Sequence, residues 1–187
     1  RGLTVELLTQ MLDLGDQLLT LESARTLAGR PSNSQRVLMT LAGDAERSAG
    51  VRAEAIIGLS LLASSAETVA DFLEKLADEA DDNLVAEEAL RALRLSPSVD
   101  GGRPALTDTQ GWLKRLDAVD EPVDVERGRR LFFHPRLGLC ANCHRHEGRG
   151  SVVGPDLSRV GQRGDRAWLL ESILMPNEEI APEYLPR

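Results

Sequence analysis

The chain has 187 residues and is acidic, with 22 basic and 30 acidic side chains and a net charge of −8. Aromatic residues make up 3% and apolar residues 42%, alanine and leucine carrying most of the apolar load, a composition that suits packed helices and argues against a β-sandwich. No stretch approaches the about 18 consecutive apolar residues of a membrane-spanning helix, so no span is expected, and the absence of an initiator methionine and of a signal peptide predicts a start that has been processed or trimmed.

Residues 3–95 carry the apolar spacing of antiparallel helices. Leu3, Leu7, Leu8, Met11 and Leu14 mark one face, and similar faces recur near 18–28, 34–42, 50–63, 67–79 and 84–95, which predicts six short helices. The pattern repeats. Val51–Leu59 aligns with Val85–Leu93 at an offset of 34, Leu41-Ala42 precedes the first copy as Leu76-Ala77 precedes the second, and Leu19, Glu22 and Leu27 give a fainter third copy. A period in the mid-thirties with two helices per unit predicts an α-solenoid, in which each hairpin buries its face only against its neighbours. The array is similar to HEAT repeats, with a period somewhat shorter than theirs; an irregular helical bundle is the other arrangement the pattern allows.

Ser96 to Pro104 then concentrates helix breakers and small polar residues, which predicts a boundary. The expected organisation is a helical domain over 1–95, a linker over 96–107 and a second domain over 108–187. Thr107 or Asp108 is placed to cap a helix carrying Trp112, Leu113 and Leu116, with Trp112 as a core anchor between the two halves. Charge divides along the chain as well: residues 1–126 hold 12 basic and 23 acidic side chains, net −11, whereas 127–166 hold 9 basic and 3 acidic, net +6. Such an acidic helical part argues against a nucleic-acid partner.

Val125 to Phe133 reads as a short helix in which Gly128 and Phe132 share a face, the glycine allowing another helix to cross closely. Beyond it lies Cys140-Ala141-Asn142-Cys143-His144, the attachment pentad of a c-type haem. Two thiols three residues apart each add to one vinyl group of the same porphyrin, and the imidazole that follows is the proximal iron ligand. Zinc held by Cys140, Cys143, His144 and His146 is the competing use of these residues, but structural zinc draws its ligands from two separated pairs and the chain has no third cysteine. A redox dithiol needs a βαβ setting that the sequence lacks. After the pentad, Gly148-Arg149-Gly150 and Val153-Gly154-Pro155-Asp156-Leu157-Ser158 form a glycine-rich loop suited to close backbone approach to a flat ligand, and the Pro155 carbonyl is an acceptor for the His144 N–H.

These residues, with Gly128-Arg-Arg-Leu-Phe-Phe, Leu169-Leu-Glu-Ser-Ile-Leu174 and Pro176-Asn-Glu-Glu-Ile-Ala-Pro182, resemble the haem-binding cytochrome c domain abundant in Planctomycetes and Verrucomicrobia. That family commonly follows helical repeats in large multidomain proteins, often beside a β-propeller dehydrogenase-like region. The resemblance covers roughly residues 108–187. It implies thioethers at Cys140 and Cys143, iron ligation by His144, and orientation of that histidine by Pro155. Similar proteins continue past Ile180–Tyr184, through a β-rich insert and a Met-Pro segment, to a final helix that packs across the Gly128/Phe132 helix. The haem domain is therefore expected to be incomplete at its C-terminus, with a further segment or chain supplying the cover.

Met175, 31 residues after His144, is either the distal thioether ligand or a core methionine. His146 follows the proximal ligand too closely to cross the ring, and His134, before Pro135 in a loop, is expected to be exposed. Arg127, Arg129, Arg130, Arg136, Arg145 and Arg149 either pair with haem propionates, steer an acidic redox partner, or form a solvated face.

The expected molecule is all-α: a short HEAT-like α-solenoid followed by a class I-like cytochrome c domain. Its expected role is electron transfer through a single covalent haem c, docked by the repeats to a redox partner protein or dehydrogenase domain. The sequence has no Ser/His/Asp constellation, phosphate loop or paired-carboxylate signature, so an electron carrier or electron-transfer subunit is expected rather than an enzyme with its own substrate. Two readings stay open beside it, a five-coordinate haem acting as a peroxidase or gas sensor, and a helical scaffold whose haem is structural. Thioether formation needs reduced thiols and delivered haem, which places the protein outside the cytoplasmic membrane, in the periplasm.

Overall fold

A computed structural model describes residues 3–93, 102–120 and 122–180. The chain divides into two compact units, Arg1–Pro97 with His134–Gly138, and Ser98–Phe133 with Leu139–Arg187. Part of the linker expected over 96–107 lies outside the described residues, as does the end of the motif running to Tyr184.

Among the described residues the first unit holds six helices: α1 (Val5–Met11), α2 (Gln17–Ala28), α3 (Pro31–Gly43), α4 (Ala49–Leu59), α5 (Glu67–Glu79) and α6 (Asn83–Ala92). They fall where the apolar spacing places them, and short polar side chains start them. Thr4, Asp16 and Asp82 each accept a hydrogen bond from a first-turn N–H, and Pro31 opens α3, where a missing N–H is harmless.

Packing alternates. α2 packs on α4 and α4 on α6, α1 packs on α3 and α3 on α5, and consecutive helices α1/α2, α3/α4 and α5/α6 pair with each other. α4 is central and buried at every position from Val51 to Leu59, because it meets α2, α3 and α6. Close approach of α2 depends on Gly58, where an added Cβ would stand 2.7 Å from the Ala28 Cα. The core is aliphatic, built on Leu8, Leu27, Leu38, Ile56, Leu59 and Leu73.

The alignment of Val51–Leu59 with Val85–Leu93 falls on α4 and α6. Glu54 and Glu88 occupy equivalent places in it and are 5% and 2% exposed. Arg25 Nε donates to Glu54 at 2.9 Å and Arg91 Nη1 to Glu88 at 2.6 Å, so each buried carboxylate is met by a guanidinium as burial of a charge demands.

In the second unit, α7 (Thr109–Asp117) is capped by Asp108, which accepts from the Gly111 N–H at 2.9 Å. Trp112, half-buried, donates from Nε1 to the Ala105 carbonyl at 3.0 Å. α7 packs on α9 (Arg166–Leu174), whose Glu171 accepts from Thr109 Oγ1 at 3.1 Å. Between them come α8 (Val125–Phe133) and a two-stranded antiparallel hairpin, β1 (Arg145–His146) and β2 (Arg149–Gly150).

Candidate functional site

The site is built around the cysteine pentad, and α8 leads into it. Asp124 caps α8, its Oδ1 accepting from the Arg127 N–H at 2.9 Å, and that contact with the Arg130 charge holds its carboxyl below the usual carboxylate range. At the other end of α8, Phe132 and Phe133 meet edge to face at 4.9 Å, and Phe132 stands 5.8 Å from the His146 ring. Gly128, expected to admit a crossing helix, has open space where its Cβ would be among the described residues.

Gly138 and Leu139 take left-handed φ values of 67° and 56° and feed into a single 3₁₀ turn, Cys140–Asn142. The Cys140 carbonyl accepts from the Cys143 N–H at 3.2 Å and the His144 N–H at 2.9 Å. One tight turn therefore carries both thiols and delivers the imidazole directly after them. Cys140 is half-buried, Cys143 exposed, and both are free thiols. The hairpin follows at once. Its two-residue loop, Glu147 and Gly148, has φ of 48° and 78°, the left-handed pair that matches strand twist in a tight hairpin.

The glycine-rich loop then folds back over the turn. Ser151 N donates to the Ala141 carbonyl at 3.0 Å, Gly154 N to the Cys143 carbonyl at 2.6 Å, and Leu157 N to the Arg145 carbonyl at 2.8 Å. His144 Nδ1 lies 3.0 Å from the Pro155 carbonyl oxygen. A carbonyl only accepts, so the proton sits on Nδ1 and the Nε2 lone pair is left for a metal. Two glycines make this contact sterically feasible. A Cβ on Gly154 would stand 2.9 Å from the His144 ring atoms, and one on Gly150 would fall 2.2 Å from the His144 carbonyl oxygen. The loop that the sequence suggested would lie against a flat ligand thus lies against the histidine itself.

A latch closes the loop. Ser158 Oγ accepts from the Glu147 N–H at 2.7 Å, while the Ser158 hydroxyl and N–H both donate to Asp156 Oδ1. Those bonds from Ser158, aided by the Arg145 charge, hold the Asp156 carboxyl below its usual range. The sequence marks the loop that holds this pair but not the bond between them, although an Asp two residues before a Ser is a common turn former.

The other candidate residues scatter. Met175 caps the C-terminal end of α9, half-buried, with its N–H on the Glu171 carbonyl at 2.7 Å. His134, expected to be exposed, is 2% exposed and belongs to the first unit, because Nδ1 accepts two backbone N–H groups and draws the ring inward. The arginines do not form one solvated face. Arg130 is 4% exposed and pairs with Asp124, Arg129 covers the Phe133 ring at 4.8 Å from its centroid, and Arg136 donates to carbonyls of the first unit.

Among the described residues no three of His, Cys, Asp and Glu gather as a metal cluster, so Cys140, Cys143, His144 and His146 are not arranged as a four-ligand zinc site. The donor set fits haem c instead: two free thiols on one turn, an imidazole with Nδ1 engaged and Nε2 available, and glycines clearing the space beside it.

Residues 125–184, roughly a third of the chain, match the Cytochrome c family model. A domain of this kind implies covalently bound haem c and electron exchange with partner proteins, and such domains are typically extracytoplasmic. No curated protein and no solved structure matches the chain. Among the described residues no helix is long and apolar enough to cross a membrane.

Proposed function

We propose that this chain is an electron-transfer unit with a single covalent haem c, docked onto a larger redox assembly by a short HEAT-like α-solenoid and working in the periplasm. The 3.0 Å contact between His144 Nδ1 and the Pro155 carbonyl carries the reading. Cys140 and Cys143 would supply the thioether sulfurs, and His144 would bind the iron through Nε2. Pro155 fixes the tautomer and the ring orientation and makes the imidazole a better donor, as outer partners of metal-ligating histidines do. When bound, haem supplies reversible one-electron exchange at iron. Met175 would be the second side chain to bind the iron. The alternating contacts of α2, α4 and α6 on one side and α1, α3 and α5 on the other support the solenoid.

Met175→Ala tests the distal assignment. The variant is expected to bind carbon monoxide readily and to have a lower reduction potential, because a thioether favours ferrous iron. An unchanged spectrum with only a loss of stability, about 2 kcal/mol at the lower end of the methionine range, would return Met175 to the core and call for another distal ligand.

A further inference from the structure

Immediately before the cysteine turn the chain passes from one compact unit to the other and back. His134–Gly138 group with Arg1–Pro97, while the flanking Phe133 and Leu139 belong to the second unit. Hydrogen bonds to α4 and α6 and within the segment hold these five residues. Nη1 of Arg136 donates to the Ser60 carbonyl at 2.8 Å and to the Ala92 carbonyl at 3.2 Å. Ser60 is the C-cap of α4 and Ala92 the last residue of α6. One guanidinium therefore meets two helix C-termini, where carbonyls lack intrahelical donors and the helix dipole is negative. His134 Nδ1 accepts from the Arg136 and Leu137 N–H groups, both at 3.1 Å, which clips the backbone around Pro135. The next residues are the left-handed Gly138 and Leu139, and then Cys140. A leucine at positive φ is strained, and such strain persists where the surroundings over-determine the backbone.

We propose that Arg136 is a positioning residue for the cysteine turn: by anchoring His134–Gly138 on the ends of α4 and α6, it holds the left-handed entry that presents Cys140. The proposal rests on the haem reading of Cys140, Cys143 and His144, and adds that order in this turn depends on an intact helical unit. A guanidinium that served α4 and α6 alone would stabilise those helices and leave the turn indifferent to its removal.

The full chain is compared with Arg136→Ala and Arg136→Lys by hydrogen–deuterium exchange over residues 137–144, and by reduction potential where haem is attached. In Arg136→Ala these amides are expected to exchange about ten-fold faster, the effect of losing a hydrogen bond from a charged donor. The potential shifts with them. Arg136→Lys, which keeps a cation able to donate to both carbonyls, restores most of both properties. Should Arg136→Ala fail to fold, Arg136→Gln takes its place. Exchange over 137–144 that stays within about two-fold of wild type, with or without a lower melting temperature, overturns the proposal. A wild-type chain lacking covalent haem defeats the haem reading instead, and the exchange comparison still decides the role of Arg136.

Discussion

At Gly154 a side chain is excluded by the histidine beside it. The smallest addition, Gly154→Ala, puts a methyl carbon 2.9 Å from the His144 ring, and the ring or the loop must move. The expected outcome is a cost of about 1–3 kcal/mol in thermal or denaturant unfolding, typical of forced overpacking, together with a shifted haem spectrum as the Pro155 contact is lost. Stability lost with the spectrum intact would mean that the loop, and not the histidine, absorbs the strain. Asp156 offers a test in pH. Its carboxyl titrates below the usual range because the ionised form accepts from Ser158, so the latch contributes fully above the unfolded carboxylate pKa and is lost as pH falls through the lower folded value. Asp156→Asn should lower the melting temperature at neutral pH and flatten the acid limb of its pH profile. The pentad and Pro155 were legible in the sequence because covalent attachment fixes residue types at fixed spacing. The left-handed Leu139 and the burial of His134 were not, since neither a positive φ at a leucine nor a histidine ring turned onto backbone N–H groups of its own loop leaves a mark in residue spacing.

Among the elements, α2, α4 and α6 share more than apolar spacing. Glu22, Glu54 and Glu88 take the same place in the three aligned segments, and Arg25 joins the first two, at 2.9 Å to Glu54. At Glu54 and Glu88 the carboxylate is buried, which makes register costly to shift, because a slip would strand the charges. Glu54→Gln is expected to cost about 1.5–3 kcal/mol, the range for a hydrogen bond to a charged group, measured by urea unfolding of the full chain. A neutral result would mean that Arg25 relies on Glu22 alone. Helix positions were readable because Leu, Ala and Val recur at helical spacing, and Asp82 and Asp108 mark starts that need a cap. The end of α4 was harder to read. Apolar spacing extends to residue 63, yet the helix stops at Leu59, with the Ser60 hydroxyl bonded to the Ile57 carbonyl at 2.6 Å. A side chain competing for backbone groups leaves no trace in hydrophobic periodicity.

For the molecule as a whole, charge is divided along the sequence, an acidic helical part being joined to a basic segment that carries the pentad. Electron transfer by this chain requires covalent haem at Cys140 and Cys143. Its most direct measurement is the intact mass of the protein under denaturing conditions, taken with the visible spectrum of the same sample. The predicted result is a mass raised by one haem, a Soret band that survives denaturation, and loss of both in Cys140→Ala/Cys143→Ala. A chain of unmodified mass from cells that assemble c-type haem, or a haem band that survives loss of both cysteines, would contradict it.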